Sequence, residues 1–170
     1  MMKFLNVFLI FIIATIAHWI AIEIFGQYGI ILGVMLAFTL VMAFKLNEIG
    51  GYIFGFFSGL FLDFFGNNLF GANALAFTWI LFIFYIIDDK IDFKEFLPQV
   101  IITTVLNMLL LVFYGIISKF FIGEFICQSL FSFIIGSLLT GLLLPLIYFV
   151  INKYLSWGSL KDTNEAERFF

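Results

Sequence analysis

The chain has 170 residues, of which 64% are hydrophobic and only 11% charged, with a net charge of −3. Soluble domains carry about 45–50% apolar and about 25% charged residues, and a chain this size cannot hide such an excess of apolar surface from water. The composition excludes a soluble fold and predicts an all-α integral membrane protein, and the small charge gives no reason to expect nucleic acid as partner.

A bilayer core takes about 20 apolar residues per helix, and six segments approach that length: 4–25, 28–44, 49–65, 74–87, 98–122 and 125–151. The first follows Lys3. Its apolar run exceeds the usual 7–15 residues of a cleavable leader, so a retained transmembrane helix is expected. His18 and Glu23 lie in its second half, about 140° apart around a helix. A buried, hydrogen-bonded histidine and a solvated rim carboxylate are the expectations. Gly26-Gln27 separates this span from the second, and Lys45 to Glu48 the second from the third.

The third span carries Gly51, Gly55 and Gly59 at four-residue spacing, with Ser58 alongside and Asp63 as the next step. Small residues at this spacing form a ridge that lets helix backbones approach closely in lipid, where packing drives association. The ridge serves either packing within the bundle or a dimer or partner face. Asp63 stands at a helix C-terminus, the wrong pole for a carboxylate. It is expected to hydrogen-bond a following turn around Gly66-Asn67-Asn68, or to pair with Lys119 or a partner. In the loop 66–73, Gly66 and Gly71 can take positive φ, Asn73 is the candidate N-cap of the fourth helix, and Leu69 and Phe70 either tuck back or form a docking knob.

The loop DDKIDFKEF after the fourth span mixes charges and reads as solvated. Thr103, Asn107 and Ser118 punctuate the fifth span, and Gln128, Ser129, Ser132, Gly136, Ser137, Thr140 and Gly141 the sixth. The Ser132-Gly136-Thr140 stripe is expected to act as interhelical glue, and Pro145 to bend the helix. The chain divides into a six-span domain, 1–152, and a polar tail, 153–170. Cys127 is the sole cysteine and His18 the sole histidine, so no metal-ligand spacing exists, no cofactor is implied, and neither a thiol nor a serine nucleophile has a histidine nearby in sequence.

Six crossings with the N-terminus inside put Lys3, Lys45, Lys90, Lys94, Lys153, Lys161 and Arg168 in the cytoplasm and only Lys119 outside. That is the asymmetry of the positive-inside rule. Asp63 and the 66–73 loop then face the periplasm or its equivalent.

The segment GFFSGLFLDFFGNNLFGANAL resembles the signature of the MreD family of rod shape-determining membrane proteins, with Gly55, Gly59, Asp63, Gly71, Ala74 and Leu75 at the matching positions. A weaker echo lies in TGLLLPLIYFVINKY, with Gly141 and Pro145. The second span opens on Gly26-Gln27-Tyr28-Gly29 instead of the Pro-Asp or Pro-Asn turn common in the family. The resemblance implies a non-enzymatic inner-membrane subunit of the wall-elongation machinery, helping to regulate lateral peptidoglycan synthesis and cell shape. Its implied partners are MreC and, indirectly, MreB, RodA and a class B penicillin-binding transpeptidase. The implied fold is similar to the substrate-binding subunits of energy-coupling-factor transporters. A vitamin-type binding subunit is therefore the competing expectation, with Ala17 and Ala21 as a faint docking motif. An intramembrane hydrolase is disfavoured by the absence of paired membrane aspartates. Dimerisation stays open.

Overall fold

The computed structural model describes residues 2–65, 69–88, 95–123 and 129–154. They form six helices: α1 (Met2–Phe25), α2 (Val34–Lys45), α3 (Glu48–Phe65), α4 (Ala72–Asp88), α5 (Phe96–Ile122) and α6 (Leu130–Tyr154). No strand occurs among the described residues. Four of the helices, α1, α3, α5 and α6, are long and apolar enough to cross a bilayer, while α2 and α4 are shorter. The chain is a multi-pass helical membrane protein.

Every residue of α2 from Val34 to Ala43 is buried, the mark of a helix enclosed on all sides. The other five helices pack round it, with α3 against α4 and α5 against α6 as the most intimate pairs. Phe11 of α1 meets Phe54 and Phe61 of α3 edge-on, with centroids 5.8 and 5.7 Å apart. Leu5, Phe8, Ile12 and Ile16, by contrast, point outward from α1, as suits a surface facing hydrocarbon.

The second predicted span is corrected. Residues 28–44 do not form one helix. A turn of 3-10 helix (Gly26–Tyr28) prolongs α1, and Gly29 then stops it at φ 69. The Ile30 N–H donates to the Phe25 carbonyl and the Gly29 N–H to that of Gly26, which is the Schellman arrangement of a glycine-terminated helix. Residues 30–33 run without helix before α2 begins at Val34. Hydropathy could not reveal this, because Ile30, Ile31 and Leu32 are as greasy as any helix interior.

The other boundaries fall close to expectation. The sixth helix begins at Leu130, and residues 124–128 lie outside the described set, as do the charged loop 89–94 and residues 155–170. The helix runs on through Pro145, whose missing N–H leaves the Gly141 carbonyl without its usual donor.

The glycine ridge of α3 packs inside the bundle. The Tyr85 hydroxyl occupies the space a Cβ on Gly51 would need, and Leu81 does the same at Gly55. At Gly59 the obstacle is main chain, with the Ala74 Cα 2.5 Å from an ideal Cβ. A side chain there must push α3 off α4, and overpacking of this kind costs about 1–3 kcal/mol. Gly59→Ala is expected to lower the thermal midpoint in detergent, whereas Gly26→Ala, whose nearest obstacle is 3.7 Å away, leaves it unchanged.

Candidate functional site

The last turn of α3 carries the best-defined polar feature of the fold. Asp63 is 3% exposed, yet its carboxylate accepts four hydrogen bonds. The Gly71 and Ala74 N–H groups donate to Oδ2 at 3.0 and 3.1 Å, and the Asn73 N–H and side-chain Nδ2 both donate to Oδ1 at 2.9 Å. The remaining amide of this turn, that of Ala72, donates to the Leu69 carbonyl. A helix leaves its first amides without partners. Here all of them are supplied, most by a side chain from the preceding helix. The two oxygens have acceptor sites enough for four N–H donors.

The arrangement resolves the electrostatic objection to Asp63. Although it ends α3, its oxygens lie at the N-terminus of α4, where the aligned peptide dipoles favour negative charge. Gly59 sits one turn earlier, and its contact with the Ala74 backbone brings the two helices close enough for these bonds to form.

Two expectations are corrected by this geometry. Among the described residues Asp63 holds the turn 71–74, and the expected turn at Gly66-Asn67-Asn68 lies outside them. Asn73 is not the N-cap: α4 begins one residue earlier, and the Asn73 amide instead donates to Asp63. The four bonds to Asp63 all come from residues 71–74 and none from Lys119, whose side chain is exposed near the end of α5. Gly71 adopts φ 94, as anticipated. Leu69 is half-buried, but Phe70 does not tuck back and is 72% exposed.

A second polar cluster surrounds the start of α2. The Gly33 N–H donates to Thr140 Oγ1 of α6 at 2.8 Å, and that hydroxyl donates to the Gly136 carbonyl at 2.7 Å. Gly136 admits the Ile31 carbonyl, which lies 2.5 Å from where a Cβ would stand. Asn107 of α5 donates from Nδ2 to Ser137 Oγ at 3.0 Å, and its Oδ1 packs against Gly33 without a hydrogen-bond partner. The stripe Gly136–Thr140 is thus glue, as expected, but its role is to receive the non-helical backbone of residues 30–33. Gly33 itself was not singled out from the sequence. The available signal was the glycine pair Gly29 and Gly33 in an unbroken apolar run.

Gly141 faces Thr104 and the Val100 carbonyl of α5, and Pro145 is buried one turn below. His18 is half-buried with Nδ1 unpartnered, and Glu23 is exposed. Among the described residues, no three His, Cys, Asp or Glu side chains cluster as a metal site would require. No protein-family model, curated protein or solved structure matches the chain.

Removing the Asp63 carboxylate leaves buried N–H groups without acceptors. Asp63→Ala is expected to cost about 2 kcal/mol or more, read as a fall in thermal midpoint, with Asp63→Asn intermediate because it keeps one oxygen. Thr140→Val preserves shape while deleting the acceptor for Gly33. It should cost about 1 kcal/mol in the same assay.

Proposed function

We propose that the chain is a non-enzymatic scaffold of the bacterial wall-elongation machinery, of the MreD type, acting through an MreC-like single-span partner. One observation carries this reading. The segment 55–75, on which the sequence resemblance rests, contains the end of α3 and the start of α4, which Asp63 ties together. Such a tie suits a scaffold, which needs a surface of fixed shape. The acceptors of Asp63 are occupied by the chain's own amides and so serve no reacting molecule. Beside the clamp, Phe70 projects outward, and we assign it as the contact for the partner.

In this reading the chain crosses the inner membrane six times, with both ends cytoplasmic and the Asp63 end periplasmic. The second crossing is made by α2, about 18 Å long at about 1.5 Å per residue, together with the non-helical residues before it. The lysine asymmetry supports the same orientation.

A second reading, a small-molecule-binding subunit of a transporter, draws on the break before α2. Interrupted helices whose N-termini lie among buried polar side chains are a recurrent means of holding solutes within membranes, and Asn107, Ser137 and Thr140 stand at this one.

Affinity purification from native membranes separates the two. The scaffold reading predicts recovery of a single-span periplasmic protein, reduced about fivefold or more by Phe70→Ala, as befits an interface aromatic worth upward of about 1 kcal/mol. Depletion of the protein should round the cells. Recovery of a transporter ATPase module, with cell shape intact on depletion, would overturn it in favour of the second reading.

A further inference from the structure

The break before α2 frees more polar groups than Thr140 takes up. Hydrogen bonding along α2 begins with the Ala37 N–H, which donates to the Gly33 carbonyl. The N–H groups of Val34, Met35 and Leu36 precede that bond, as the first amides of any helix do. Gly33, the N-cap, has no side chain to offer them, and no carbonyl or side chain among the described residues accepts from them. All three residues are buried. The start of α4 differs, because there Asp63 accepts from the amides of Asn73 and Ala74.

An acceptor without a donor stands beside these amides. Asn107 is 1% exposed, and its unpartnered Oδ1 fills the space a Cβ on Gly33 would take. The other polar atoms of the cluster are engaged. Asn107 Nδ2 donates to Ser137 Oγ, while Thr140 Oγ1 accepts from Gly33 and donates to the Gly136 carbonyl.

The mixture of donors and acceptor decides what can bind. An anion suits amides at a helix N-terminus, but would set its charge against Asn107 Oδ1. A cation suits Oδ1, but would face the positive pole of the α2 dipole. The occupant must donate and accept at once, as water does with about two to four partners. Water is also the smallest such molecule, which matters where Asn107 already fills the space over Gly33. The surrounding hydrocarbon supplies none, so the molecule belongs to the fold.

We propose that one water molecule, enclosed in the bundle, is bound at the N-terminus of α2. It donates to Asn107 Oδ1 and accepts from at least one of the Val34, Met35 and Leu36 amides. The proposal rests on neither reading of function, and it gives to water the place that the transporter reading would give to a solute.

Water-edited solid-state NMR of the labelled protein in deuterated lipid bilayers tests it, since magnetisation reaches a buried amide early only where water lies next to it. Early transfer is expected at one or more of Val34, Met35 and Leu36, and not at Leu40, buried further along the same helix. Asn107→Leu should abolish that transfer while the Gly33 amide, held by Thr140, keeps its slow exchange and so reports an intact break. In wild-type protein dialysed free of small solutes, a map that resolves ordered water should show one within hydrogen-bond distance of Asn107 Oδ1 and of one of the three amides. Absence of early transfer at all three residues, or transfer that survives Asn107→Leu, would overturn the proposal. Density for a larger molecule at the site would also overturn it, in favour of a solute.

Discussion

The structure depends on one constraint: within hydrocarbon, every main-chain N–H and C=O needs a partner from the protein, because no water is present to supply one. Continuous helices meet it without help. This chain interrupts its helices before α2 and before α4, and at both some of the freed N–H groups donate to side chains of neighbouring helices. Thr140 accepts from Gly33, and Asp63 accepts from Gly71, Asn73 and Ala74.

The two interruptions are handled by one device. In each case a glycine on the receiving helix allows backbone contact, and a polar acceptor four residues later, one turn along the same face, takes the orphaned amide. Gly59 lies against Ala74 with Asp63 above it, and Gly136 lies against Ile31 with Thr140 next. The glycine sets the distance and the acceptor closes the bond, so neither works alone. Small residues in membrane helices are usually credited with packing between helices. Here they also bring hydrogen-bonding side chains within reach of a chain that has left helical geometry. The scaffold reading draws on the rigidity this confers on the α3–α4 hairpin.

Much of this was legible in the sequence. The number of apolar segments, most of their limits and the existence of the Gly51-Gly55-Gly59 ridge follow from composition and spacing, whereas its use inside the bundle rests on Tyr85, Leu81 and Ala74 filling the space beside it. Placing Asp63 as the next step of the ridge, tied to a turn after it, follows from the same logic. The identity of that turn did not follow. Asp63 holds residues 71–74, and only the approach of α3 to α4 decides this. Asn73 carried the local features of an N-cap but lost the role to a side chain ten residues earlier, a tertiary choice that local propensity cannot register. The break at 29–33 was hidden because apolar residues carry the same hydropathy whether helical or extended. The acceptor at Thr140 lies 107 residues from the amide it serves.

Residue-resolved hydrogen exchange of the wild-type protein in lipid nanodiscs tests the central claim most directly. If neighbouring helices supply the missing acceptors, the amides of Gly33, Gly71, Asn73 and Ala74 will be protected to the level of helix interiors, although all four lie just before a helix or in its first turn. Exchange of these amides as fast as that of exposed Phe70 would contradict the account.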